Sequence, residues 1–395
     1  MLIQKIMIVK SLRVFGSSLM SIILPLYLLN QGYSVAIVGI VVSLMILSNI
    51  PFNILLTLVI KRLGQRLILV ILSALMIISA LLFLWNLNMI MIIIAASIGL
   101  LSAHGTETGP FQSIEQSIIS VTVDDEKRTH TFSIYNFVGY ASMSLGSLFS
   151  GLPDYLPHLN LSLSFAFYVY AIIGLTQVVI YLSFTNIDEI FNSSDKFILH
   201  PQSRKTVLKL TSLFSIDAFG GGFIVKTLLT TWFFLRFNVQ LISLALIFSF
   251  ADIITAISIF LAPILAKRIG LLKTMVITHI PSNVFLILVP LAPTLLYAVI
   301  FLFLRQSISQ MDVPTRQSYV NAIIEAEDRA STAAITNTVR TISSSISPPL
   351  ATSLIDIGNF VLPFVFGGGI KIVYDVAVYF AFRKIKPPEE MERNN

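Results

Sequence analysis

Apolar segments recur along the whole of this chain, and about a dozen of them reach the roughly 20 residues needed to cross a bilayer core as an α-helix. From Leu67 to Trp85, for example, no ionisable side chain interrupts the run. The spacing predicts helices at about 8–30, 35–59, 67–87, 90–119, 130–153, 163–185, 208–235, 241–265, 272–291, 295–322, 331–355 and 360–382. Only 12% of the 395 residues are charged and 55% are hydrophobic. Soluble domains run near 25% charged, so that class is excluded, and little chain is left over for a soluble domain. The expected fold is an all-α integral membrane protein with twelve transmembrane helices. There is no cysteine, so no disulfide and no thiolate metal site. The first apolar run is too long for a cleavable signal peptide and lacks a small-residue cleavage site.

The net charge of +6 reads as topology, with no nucleic-acid partner implied. With twelve crossings both termini share one side. Most of the 26 Lys and Arg then fall in or beside the terminal segments and the even-numbered loops, among them Lys61, Arg62, Arg66, Lys127, Arg128, Arg204, Lys205, Lys267, Arg268, Lys273, Arg383, Lys384 and Lys386. Only Arg236 falls in an opposite-side loop. This is the positive-inside pattern, and it places both termini of a multi-pass cell-membrane protein in the cytoplasm.

Residues 186–207, the longest polar stretch, read as a cytoplasmic linker between a six-helix bundle at 1–185 and a second at 208–395. The two halves align. LRVFGSS matches IDAFGGG at a shift of 204, and LVIKRLGQR matches ILAKRIGLL at a shift of 206. Around the fourth and tenth helices a shift of 201 superimposes His104 on Arg305, Glu115-Gln116-Ser117 on Arg316-Gln317-Ser318, and Asn136 on Asn337. Three matches in order at nearly constant shift indicate a duplication, and six-helix halves repeated in parallel are the plan of one large transporter class. In the fifth helix Gly139, Gly146 and Ser150, with Ser142 and Ser147 between, predict close backbone approach to a neighbour.

These segments resemble the major facilitator superfamily over essentially the whole chain. The family motif after the second helix is Gly-x-x-x-Asp-Arg-x-Gly-Arg-Arg, and Thr57 to Arg66 matches it at Arg62, Gly64 and Arg66 while placing Thr57 and Lys61 where the family has Gly and Asp. The second copy keeps Lys267, Arg268 and Gly270 and also lacks the acid. A narrower similarity is to poorly characterised prokaryotic permeases with GPF…EQ and SQMDVPTR segments, here Gly109-Pro110-Phe111 with Glu115-Gln116, and Ser309 to Arg316. The resemblance implies two pseudo-symmetric bundles and a central cavity lined by the first, fourth, seventh and tenth helices.

Ionisable groups inside a membrane are costly to desolvate, and they mark cavities, partners or proton paths. Those on the predicted cavity helices include Arg13, His104, Glu107, Glu115, Asp217, Arg305, Asp312 and Arg316. His104, Glu107, Phe111 and Glu115 follow one helical stripe, as do Arg305, Ser309, Asp312 and Arg316. At roughly 1.5 Å per residue, Arg305 falls some 15 Å below the outer end of its helix. Glu107 is the first candidate for a reversible proton site and Asp217 the second, because burial raises a carboxyl group toward neutrality. Arg13, His104, Phe111, Arg305 and Trp232 are candidate substrate-cavity residues. Glu115, Asp312 and Arg316 are candidates for a cytoplasmic gate, with Glu115 facing Arg316 or another cytoplasmic base, and Asp312 four residues before Arg316 suits an intrahelical pair.

Asp217 has Arg13 as its equivalent in the first half and is as well explained as a structural partner. Lys226 points away from Asp217 on an unbroken helix, unless Gly220–Gly222 bend it. There is no phosphate-loop motif, no paired-histidine metal motif and no clustered nucleophile and base, so neither an ATP-driven pump nor an enzyme is expected, and no cofactor. The expected function is a monomeric secondary transporter that moves a small molecule by alternating access, with protons as co-substrate and export of an organic or amphipathic compound as the first choice. The alternatives are an importer or uniporter for an organic anion or sugar using Arg13 and Arg305, a divalent-metal carrier using His104, Glu107 and Asp217, and a membrane-embedded enzyme or lipid flippase.

Overall fold

The computed structural model describes residues 2–85, 88–106, 109–184 and 200–385, and no strand occurs among them. The helices run in order α1 (Leu2–Asn30), α2 (Val35–Leu47), α3 (Asn49–Trp85), α4 (Met89–Ile98), α5 (Pro110–Thr122), α6 (Asp125–Phe149), α7 (Leu152–Tyr155), α8 (Phe165–Leu182), α9 (Pro201–Gly222), α10 (Lys226–Phe237), α11 (Leu241–Ile269), α12 (Leu271–Leu288), α13 (Leu295–Ser309), α14 (Asp312–Ile323), α15 (Arg329–Asp356) and α16 (Leu362–Phe382). Among the described residues, eight helical spans are long and apolar enough to cross a membrane. Their outer faces suit lipid: on α8, Tyr168, Ile172, Leu175 and Val179 form one exposed stripe, opposite the buried Gln177 and Tyr181.

The observed helices follow the predicted segments except at four interruptions, and three of these have a proline just downstream. A proline ring clashes with the carbonyl four residues earlier and cannot donate to it. Pro51 accounts for the end of α2 at Leu47, and Pro314 for the break at Gln310–Met311 between α13 and α14. Pro110 opens α5 behind Gly109, whose φ of 119° no other residue adopts readily, so the predicted helix over 90–119 is non-helical from Gly99 to Gly109 wherever it is described. The fourth interruption, at Phe223–Val225, follows Gly220–Gly222. Both charged stripes expected on unbroken helices are therefore cut in two.

Two helix reversals carry the duplicated motif. Inside α3, Gly64 has φ 74°, ψ 158°, and between α11 and α12 Gly270 has φ 93°, ψ 158°. Arg62, Lys267 and Arg268 beside these turns are exposed. The glycine in each copy is thus explained by backbone conformation.

The described residues group into two compact units. One comprises the residues up to 184 with 225–250, the other 200–224 with 251–385. Residues 225–250, read from the sequence as part of the 208–395 bundle, thus pack with the first unit. The break before Lys226 frees α10 to lie on α1, burying Trp232 and Phe233.

In the first unit α1 packs along α6 and against α8, and α3 packs along α8. A Cβ at Gly146 would lie 2.2 Å from the Phe15 carbonyl oxygen, so only glycine fits that crossing. The Ser18 hydroxyl donates to the Met143 carbonyl at 2.7 Å. The second unit repeats this crossing with α9 on α15. There Ser347, the equivalent of Gly146, donates to the carbonyl of Phe219, the equivalent of Phe15. A Cβ at Gly222, the equivalent of Ser18, would lie 2.3 Å from the Ser344 carbonyl oxygen. The same helix pair recurs in the same register.

Candidate functional site

Among the described residues each unit holds a buried charged cluster built on equivalent positions of the two halves. In the first unit Arg13 of α1 donates from Nη2 to Glu115 Oε2 of α5 at 2.7 Å. Its Nη1 donates to Gln177 Oε1 at 3.0 Å and to the Tyr181 hydroxyl at 2.7 Å, both on α8. The Glu115 carboxylate also accepts from Tyr181 and from Tyr135 of α6, each at 2.8 Å. The Arg13 guanidinium lies 4.4 Å from the Phe111 ring, and the Lys10 ammonium 4.6 Å from the Tyr135 ring. A buried ion pair is tolerated only when its remaining donors and acceptors are filled, and here four helices fill them.

In the second unit Asp217 of α9 is the centre. Its carboxylate accepts from Lys371 of α16 at 2.5 Å, and from Arg316 of α14 and Arg340 of α15 at 3.2 Å each. Arg316 also donates to Asp312, one turn earlier on α14, at 3.0 Å. The Phe214 ring lies 5.5 Å from the Arg316 guanidinium and 5.8 Å from that of Arg340. Through the alignment Arg13 corresponds to Asp217 and Glu115 to Arg316. The same ion pair is therefore made twice with its polarity reversed, Arg13–Glu115 and Asp217–Arg316.

Several residues that the sequence grouped have particular partners within their own unit. Glu115, expected at a gate facing Arg316 or another cytoplasmic base, accepts from Arg13, Tyr135 and Tyr181, and Arg316 donates to Asp217 and Asp312. Phe111 is buried beneath Arg13. Trp232, expected on a cavity wall, is 1% exposed and packs edge-on against Phe233 and Phe237. His104 is exposed in the non-helical segment, off any stripe with Phe111. Glu107 lies outside the described residues. Arg305 on α13 is buried, with Nη1 donating to Gln306 at 2.5 Å and Nε without a hydrogen-bond partner.

The break between α4 and α5 is met, inside the first unit, by the start of α10. The Thr227 amide and hydroxyl both donate to the Ala103 carbonyl, at 3.1 and 3.0 Å. Lys226 is buried beside Gly105, and its ammonium donates to the hydroxyls of Ser18 at 3.0 Å and Ser147 at 2.6 Å. Interrupted helices expose backbone donors and acceptors at membrane depth only where protein or a water-lined path covers them.

Sequence reasoning missed Lys371, Arg340, His279 and Asp375. His279 Nδ1 of α12 lies 2.7 Å from Asp375 Oδ1 of α16, and Asn283 donates to Asp375 Oδ2 at 3.3 Å. The signal was present, because each is an ionisable residue inside a predicted membrane helix, but none lies on the four helices expected to line a cavity. Near the start of α9, His200 Nδ1 pairs with Asp328 at 3.0 Å, in the 3-10 turn before α15. The hydrogen bond and charge of Asp328 raise the His200 pKa above its ordinary value, and bonds from Ser203 and His200 lower that of Asp328.

The chain belongs to the Major Facilitator Superfamily, whose family model matches residues 6–308. Over 425 aligned residues, covering 97% of this chain and 95% of the relative, it is 24% identical to the uncharacterized membrane protein YJR124C of Saccharomyces cerevisiae. Among solved structures it resembles the nucleoside transporter NupG, with a TM-score of 0.75, 13% identity, and 97% of this chain and 99% of that one covered. It also resembles a bacterial homologue of the human lysosomal transporter Spinster in an inward-facing, unoccupied conformation, with a TM-score of 0.72, 13% identity, and 98% of each chain covered. These likenesses show the fold. The chain is a multi-pass membrane transporter of the superfamily's fold, and not an enzyme.

Proposed function

We propose that this chain is a secondary active transporter that moves a small organic anion across the cell membrane by alternating access, with both termini cytoplasmic. The observation that carries the reading is the excess of basic side chains in the buried group linked through Asp217 and Asp312. Arg305, Arg316, Arg340 and Lys371 stand against Asp217 and Asp312, with the His279–Asp375 pair one turn along α16. With Asp217, Asp312 and Asp375 ionised and His279 neutral, this linked group holds one more positive than negative charge, and desolvated positive charge is stabilised by an anionic ligand. Arg305 supports this further, since its buried Nε has no protein acceptor. An anionic cargo fits this better than the amphipathic compound expected first. It also fits better than a divalent metal, because Asp217 is already surrounded by three cations.

The test is thermal unfolding of the purified protein against small mono- and dicarboxylates, organic phosphates, neutral sugars and nucleosides at constant ionic strength. A ligand at about 100 times its Kd stabilises by about 2.7 kcal/mol. Stabilisation by anions that is lost in Arg305→Gln is the expected result. Stabilisation by neutral solutes alone would remove the anion reading.

A further inference from the structure

The His279–Asp375 pair is buried, 4% and 2% exposed, and belongs to neither charged cluster. It nevertheless stands next to one of them. Asp375 is one turn from Lys371 on α16, and Lys371 holds Asp217. Two carboxylates thus compete for one ammonium. The charges acting on the pair are Lys371 on its own helix and Asp217 on α9, and Asp217 in turn engages Arg316 of α14 and Arg340 of α15. Arg305 on α13 interacts with Asp312, which pairs with Arg316. Tyr374 presents its ring edge-on to His279 at 6.2 Å.

Resting on the anion reading above, we propose that His279 and Asp375 form the proton-binding site that couples transport. With His279 neutral, its Nδ1–H faces Asp375, and the Asp375 carboxylate still attracts Lys371. A proton taken from water onto Nε2 makes the imidazole the countercharge of Asp375. Lys371 then stays with Asp217, and the positive charge of the group around it rises by one. Proton and anion therefore load together, because each lowers the electrostatic cost of the other. This role differs from the one expected of Glu107, and it explains why a histidine sits on a helix not expected to line the cavity.

The test needs no substrate. Full-length protein labelled at histidine 13Cε1 is reconstituted in nanodiscs and titrated by NMR, and the His279 resonance is identified by its loss in His279→Asn, or in His279→Gln where that accumulates better. The resonance is expected to move reversibly with pH. Its midpoint is expected to fall in Asp375→Asn and rise in Lys371→Gln, by about half a pH unit or more each way, because these remove an opposite and a like charge. A resonance that does not titrate, or a midpoint equal in both variants, overturns the proposal even if anions stabilise the protein. A titrating, shifting resonance without anion stabilisation would keep the proton site and remove the anion reading.

Discussion

The Arg13–Glu115 pair gives a stringent test of the first unit. Glu115→Gln removes the countercharge of a guanidinium that is only 3% exposed. Taking one partner from a buried pair costs about 3–5 kcal/mol. Two features place this site at the lower end. Arg13 keeps its neutral acceptors on Gln177 and Tyr181. It also keeps the Phe111 face, a contact worth about 0.5–2 kcal/mol. A loss of about 3 kcal/mol corresponds to about 6–12 °C in Tm for units of this size. Arg13→Gln strands the carboxylate instead, with only the Tyr135 and Tyr181 hydroxyls left to it, and should cost at least as much. The double variant R13Q/E115Q buries no charge, so its loss should fall short of the sum of the singles by about 2 kcal/mol. Thermal unfolding of purified protein in one detergent reads all four. Singles within about 1 °C of wild type, or an additive double variant, would show that the pair contributes little and refute the reasoning.

Asp217→Asn leaves three basic side chains around a neutral amide and should lower Tm more than Asp312→Asn, which removes one partner of Arg316 alone; equal losses in the two melts would contradict the assignment of Asp217 as the centre. Gly146→Val and Gly222→Val each drive a side chain into a backbone carbonyl, and overpacking of this kind costs about 1–3 kcal/mol or more, visible as reduced folded yield by size-exclusion chromatography. Gly64→Ala, at φ 74°, should cost about 1–2 kcal/mol, while Ala in place of the exposed Arg62 should be nearly silent in the same melt. The His200–Asp328 pair has a signed pH dependence. The stabilisation from the raised His200 pKa is full below its ordinary value of 6.5 and fades as pH rises through the raised one. That from the lowered Asp328 pKa is present above its ordinary 3.8 and fades as pH falls through the lowered one. The Tm deficit of His200→Ala should therefore be present in weak acid and shrink in alkali.

What the sequence determined alone is the bilayer as solvent and the duplication. Apolar length and sparse charge leave a chain no other stable environment, and the shift between halves places the same helix crossing in both units, Gly146 on Phe15 and Ser347 on Phe219. The glycine of the repeated motif was legible for the same reason, since a helix reversal at Gly64 and Gly270 needs a backbone conformation that one residue type supplies cheaply. Partner choice among the buried charges was not legible. The alignment sets Arg13 opposite Asp217 and Glu115 opposite Arg316, but equivalence between units says nothing about contact. Only the packing of α1 on α6 and α8 with α5 against α6, and of α9 on α15 and α16 with α14 against α12, brings Arg13 to Glu115 and Asp217 to Arg316. Proline and glycine near residues 109, 222 and 314 marked where helices could break, yet the expected stripes ran straight through them. Desolvation makes each buried charge take the nearest opposite charge or donor, and which one is nearest is a property of tertiary geometry.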